Sequence, residues 1–226
     1  MEISKYCKTG EFHKENGGVC QDKVGYYETK DYAIAVLADG VTACEKSDEG
    51  ADIICRAFTS FVLSEQENIF IYSKEKLAYL LIEYLLYYLE TETGKKGDAV
   101  QKYASTLVGA VVDKKNREAV IINLGDGAVF TFSSSEIIEQ LRPKKIEGNP
   151  CLVTTKGSYK AVEIKRLEVR FGEGLFLCTD GFVDILERES DDIDAKELII
   201  YHNFSGLQMK LQHLNIMDDC SYISIW

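Results

Sequence analysis

Two apolar stretches in this chain stop on the same pair of residues. Ala33-Ile34-Ala35-Val36-Leu37-Ala38 runs into Asp39-Gly40, and Leu175-Phe176-Leu177-Cys178-Thr179 runs into Asp180-Gly181. A third stretch reverses the order, with Met217-Asp218-Asp219 leading into the alternating run Cys220-Ser221-Tyr222-Ile223-Ser224-Ile225. A strand that is apolar to its last residue and then delivers an Asp followed by Gly sets a carboxylate at the rim of a sheet, where a hard cation can collect it. Read together, the three acidic clusters predict one shared metal site.

The rest of the chain supplies the frame for those strands. Residues 24–29 and 32–38 read as a hairpin, rich in β-branched and aromatic side chains around a short polar turn. Ser47-Asp48-Glu49 offers an N-cap and first-turn acids for a helix over 51–63, with Ile53, Ile54, Ala57, Phe58 and Phe61 on the side that packs on a sheet. A longer helix over 74–92 carries Leu77, Leu80, Leu81, Tyr84, Leu85, Tyr88 and Leu89 at three- and four-residue spacing. After a loop over 93–101, strands over 105–112, 118–124, 128–132 and 136–140 are expected to form a meander. An excursion holding Pro143 and Pro150 precedes strands over 161–169 and 175–179. Helices over 192–201 and 206–214 and a last strand over 221–226 complete the chain. Helices in two separate groups, with hairpin-linked strands between them, predict an α+β fold: two mostly antiparallel sheets in a sandwich flanked by helices, as one domain over 1–226.

Charge and hydropathy narrow the function. A net charge of −11 argues against a nucleic-acid partner, whose binders display clustered Lys and Arg. The apolar runs fall well short of the roughly 20 residues that span a bilayer, and no basic leader precedes them, so a soluble, cytoplasmic protein is expected, with no membrane partner. The seven cysteines contain no Cys-x-x-Cys pair and most have apolar neighbours; they are expected to be reduced, buried thiols.

Several short motifs follow one another in a fixed order. They are Cys20-Gln21-Asp22, Ala38-Asp39-Gly40-Val41, Ser47-Asp48-Glu49-Gly50-Ala51, Ala104-Ser105-Thr106-Leu107, Asn123-Leu124-Gly125-Asp126-Gly127, Cys178-Thr179-Asp180-Gly181-Phe182-Val183-Asp184 and Asp218-Asp219-Cys220-Ser221. Singly each is weak, because Asp-Gly is first a turn signal. In this order the chain resembles the metal-dependent protein phosphatases of the type 2C (PPM) family. The opening Gly10-Glu11-Phe12-His13 with Gly17-Gly18-Val19-Cys20 is similar to a bacterial subgroup.

That resemblance implies a four-layer αββα sandwich with a binuclear Mn2+ or Mg2+ centre at one end of the paired sheets. It implies Asp39 as the bridging carboxylate, the Gly40 carbonyl as an oxygen ligand, and Asp180 and Asp218 as further ligands. Asp22 and Asp126 then hold metal waters or bind a weaker third ion. Asp219 is left as a surface or network residue, and Asp184 and Asp98 as solvated acids.

The pattern also breaks in places. Gly17-Gly18 stands where several members carry a phosphate-binding Arg, leaving His13, Lys14 or a basic residue of 142–145 as substitutes. Val41-Thr42 stands where mammalian-like members have a His proposed as general acid, so His13 or a metal water is left to donate that proton. Gln21 replaces an acid of some relatives, which removes one charge from the second metal. The resemblance therefore implies an Mn/Mg-dependent serine/threonine protein phosphatase that uses a metal-activated water. The alternative is a catalytically weak or inactive regulatory protein of the same fold. The expected partners are a phosphorylated protein substrate and a cognate Ser/Thr kinase, with the chain a monomer.

Overall fold

The computed structural model describes residues 1–142, 149–187 and 194–226, which form ten strands and six α-helices. One five-stranded sheet has the order β1 (Ile3–Lys8), β10 (Cys220–Ile225), β9 (Gly174–Cys178), β6 (Ala128–Phe132), β7 (Ile137–Leu141). The other has the order β2 (Lys23–Glu28), β3 (Tyr32–Ala38), β4 (Leu107–Asp113), β5 (Glu118–Leu124), β8 (Glu163–Glu168). Every pairing is antiparallel. The helices are α1 (Glu11–Glu15), α2 (Ser47–Glu65), α3 (Lys74–Thr93), α4 (Asp180–Glu187), α5 (Ala195–Ile200) and α6 (Phe204–His213).

Three apolar layers hold these elements together, and β3 shows why its sequence has no polar face. Ala33, Ala35 and Leu37 join the core between the sheets with Val108, Leu175 and Ile223. Ile34, Val36 and Ala38 join the core on the other side with Ile54, Phe58 and Leu81 from α2 and α3. A strand covered on both faces reads as a continuous apolar run. On the far side Phe176, Cys178 and Tyr222 pack against Phe182, Phe204 and Leu207, so α4, α5 and α6 form the fourth layer. This is the expected α+β sandwich.

Several local expectations change. The four strands expected as a meander divide between the sheets: β4 and β5 lie in one, β6 and β7 in the other. The chain changes sheet at Asn123-Leu124-Gly125-Asp126-Gly127. Gly125 has φ 125°, and a Cβ there would lie 2.6 Å from Thr106, so no other residue fits. Asn123 Nδ2 donates to the Gly127 carbonyl at 2.6 Å and closes the turn.

Asp180-Gly181 opens α4 and not a turn, because an acid in a first helical turn is favourable and Phe182, Val183, Ile185 and Leu186 then bury together. Helix α2 begins at Ser47, a turn before the expected start, with Lys46 at the cap position. Strand β1 and helix α1 had no reading in the sequence. Part of the expected helix over 192–201 and of the 141–160 excursion lies outside the described residues. Among the described residues no helix is long and apolar enough to cross a membrane.

Candidate metal centre

Strand register brings the acidic motifs to one end of the sandwich. Leu37 pairs with Val108, Leu107 with Leu124 and Ala128 with Cys178, so the C-terminal ends of β3, β5 and β9 lie together. Asp39 follows β3, Asp126 sits in the crossover after β5, and Asp180 follows β9. One carboxylate oxygen from each of the three lies within 4.8 Å of the others. The expected outer acid Asp126 thus stands in the tight group. Asp218 is exposed and outside it, and accepts from the Asp219 backbone N–H at 2.9 Å.

Electrostatics report the same convergence. Burial first, then the charges of Asp22, Asp180, Asp218 and Asp126, hold the Asp39 carboxyl well above the usual carboxylate range. Asp218 is also raised, chiefly by partial desolvation. Asp22, 1% exposed, is pushed up to about 8 by burial, against hydrogen bonds from Ser221 and Thr179. The groups acting most strongly on Asp39 are all negative, and its ligand atoms are all oxygen. Gln21, whose backbone carbonyl accepts from Gly40, buries its Oε1 with no hydrogen-bond donor among the described residues. This donor set fits a hard divalent cation.

A polar scaffold fixes the acids in place. Thr106 grips Asp39 twice through the backbone, its N–H donating to the Asp39 carbonyl at 2.9 Å and its hydroxyl accepting from the Asp39 N–H at 3.1 Å. Gly40 donates to the Gln21 carbonyl at 3.3 Å, and a Cβ on it would meet the Ser47 backbone at 2.8 Å. Its missing side chain therefore admits the start of α2, a stronger requirement than access to its carbonyl. The Thr179 hydroxyl donates to Asp22 Oδ2 at 2.9 Å and accepts from the Ser221 N–H at 3.0 Å.

Asp219, 2% exposed, accepts from the Gly10 N–H at 2.8 Å and the Gln21 N–H at 2.6 Å. It ties the segment before α1 to the segment before β2. Thr106, Thr179 and Ser221 lie inside motifs visible in the sequence, yet a hydroxyl there carries no signal of which backbone it will grip.

His13 is 6% exposed, with Nδ1 3.0 Å from Asp219 Oδ1 and Nε2 3.4 Å from Thr42 Oγ1. Both ring nitrogens thus face protein groups. The other suggested phosphate binders are engaged too, Lys14 with Glu11 at 2.8 Å and Arg142 with Glu187 at 2.6 Å; residues 143–148 lie outside the described residues.

Comparison with known proteins adds the family. Three solved structures share the fold at low identity. A bacterial serine phosphatase matches with a TM-score of 0.71 at 18% identity, over 99% of this chain and 96% of that one. The serine/threonine phosphatase Stp1 from Staphylococcus aureus matches with a TM-score of 0.69 at 17% identity, over 99% and 93%. RsbX, solved in complex with magnesium, matches with a TM-score of 0.64 at 14% identity, over 98% and 92%. No curated protein matches the chain by sequence. The family model described as protein phosphatase 2C matches residues 9–206, from the segment before α1 into α6, and the chain accordingly belongs to that family of metal-dependent protein phosphatases.

Proposed function

We propose that residues 1–226 act as one cytoplasmic phosphatase domain that removes phosphate from phosphoserine and phosphothreonine in proteins, opposing a Ser/Thr kinase. The observation that carries this reading is the meeting of Asp39, Asp126 and Asp180 within 4.8 Å, at the end of the sandwich where five acids interact. Asp39, Asp126 and Asp180 would hold one divalent cation, Mn2+ or Mg2+, and Asp39, the Gly40 carbonyl and Asp218 a second. A third, weaker ion at Asp126 is part of the same proposal, and magnesium in the related RsbX structure supports the ion class. Bound there, such cations supply a water acidified toward neutral pH and positive charge against the phosphoryl oxygens.

The chain's own residues hold this arrangement. Thr106 fixes the Asp39 backbone, so the carboxylate keeps its place through turnover. Asp22, anchored by Thr179, contributes charge from behind the tight group. Asp219 and His13 position the segments before α1 and β2 around it.

Phosphate release from phosphoserine, phosphothreonine and phosphotyrosine peptides, with manganese and with chelator, tests the reading. Release from the first two, abolished by chelator, is the expected result. Manganese that raises the melting temperature without any phosphate release marks a silent binder and overturns it.

His13 is assigned a positioning role, which differs measurably from that of a proton donor. His13→Gln is expected to lower kcat by about tenfold, and by the same factor for 4-nitrophenyl phosphate and for phenyl phosphate. A general acid would instead matter more for the poorer leaving group. A loss that grows with leaving-group pKa would return His13 to the reaction.

A further inference from the structure

All seven cysteines are free thiols, but the expected burial holds for only part of the set. Cys55, Cys178 and Cys220 are buried in the core, and burial pushes their thiols up. Cys7 is exposed and Cys20 half-buried, and their Sγ atoms lie 3.1 Å apart. The two come from different sheets: Cys7 is the penultimate residue of edge strand β1, paired across from Ser221 of β10, while Cys20 precedes β2, the edge of the other sheet. Contraction by about 1 Å would bring the sulfurs to bonding distance. The loop bearing Cys20 also contains Gly17, at φ 69°, and Gly18, which leave it freedom to follow.

Both sulfurs also lie within hydrogen-bond reach of one acceptor, the Asp22 carbonyl, at 3.7 Å from Cys7 and 3.8 Å from Cys20, and Lys23 Nζ donates to the same oxygen at 3.3 Å. Cys7 is the more exposed of the two, so an oxidant in solution reaches its sulfur first. Cys7 is thus the accessible nucleophile and Cys20 the resolving thiol beside it.

We propose that Cys7 and Cys20 are a peroxide-responsive dithiol, oxidised reversibly to an intramolecular disulfide that loosens the acidic centre through Asp22. The Cys7 sulfur attacks a peroxide oxygen; the O–O bond breaks, one water leaves and Cys7 becomes a sulfenic acid. The Cys20 sulfur then attacks that sulfur, the S–S bond forms as S–O breaks, and a second water leaves. Two thiols and one hydrogen peroxide give one disulfide and two waters, and a dithiol reductant reverses the change. The thiol protons within reach of the Asp22 carbonyl are lost at the same time, leaving it Lys23 Nζ alone among the donors named here. The effect on metal rests on the function proposed above.

The test treats reduced wild-type protein with one equivalent of hydrogen peroxide, alkylates it and digests it with trypsin. Peptide 6–8 joined to peptide 15–23 is expected as the main oxidised product, absent after dithiothreitol and absent from Cys7→Ser, while Cys44→Ser behaves as wild type. Irreversible oxidation of Cys7 alone, or a disulfide between other cysteines, overturns the proposal. Calorimetric titration with manganese then compares the two forms, with affinity expected to be about tenfold weaker after oxidation. Equal affinities overturn the link to Asp22. Absence of manganese uptake by the reduced protein overturns that link and the proposed function together, while the peptides still decide the dithiol.

Discussion

Asp39→Asn is expected to lower phosphate release by about three orders of magnitude and to leave the protein folded. A loss of that size corresponds to roughly 4 kcal/mol of transition-state stabilisation, within what a divalent cation supplies to phosphoryl chemistry. Asp39 is the group on which Asp22, Asp126, Asp180 and Asp218 all act. Asparagine keeps its shape, and the grip of Thr106 is on the backbone, so the substituted residue stays where the acid was. What disappears is one carboxylate charge from a cluster that repels itself. The metal-free variant should therefore melt no lower than metal-free wild type, while losing most of the stabilisation that manganese confers on wild type. Activity at saturating manganese, with melting curves in chelator and in manganese, checks both halves. Activity within tenfold of wild type would remove Asp39 from the centre.

The parts of this fold that the sequence made legible are those where one physical cause acts alone. Strand β3 is buried on both faces and reads as an unbroken apolar run, and α3 shows its apolar stripe over most of its length. Asp39 and Asp180 were visible because each ends such a run. The crossover at Asp126 was not, since Gly125 and Gly127 serve equally well in a hairpin, and only the pairing of β6 with β9 in place of β5 shows that the chain changes sheets. The burial of Asp219 is similar. It is the Gly10 and Gln21 N–H groups, distant in sequence, that capture Asp219 just before β10, while Asp218 stays at the surface. Cys7 and Cys20 meet only because the edges of two sheets meet, which no spacing rule contains.

The same clustered charge predicts how stability depends on pH once metal is removed. Asp22 and Asp39 titrate above the unfolded carboxylate value of about 4, so in the window above it the native state binds more protons than the unfolded one. A carboxyl raised in this way contributes stability that is fully present below pH 4 and is lost as pH rises through its folded value. Asp218 is exposed and adds little.

The melting temperature of chelated protein should accordingly fall by several degrees, on the order of 5 °C or more, between pH 5 and pH 8. Manganese reverses the sign of the charge balance: its ligands bind deprotonated, so its affinity and the stabilisation it confers should increase with pH over the same range. The two melting curves, with and without manganese, should lie close at pH 5 and separate toward pH 8, and Asp39→Asn should flatten the metal-free slope. A metal-free melting temperature that is level or climbs from pH 5 to pH 8 would mean that the carboxylates already find positive partners within the protein, and the case for a cation among them would fail.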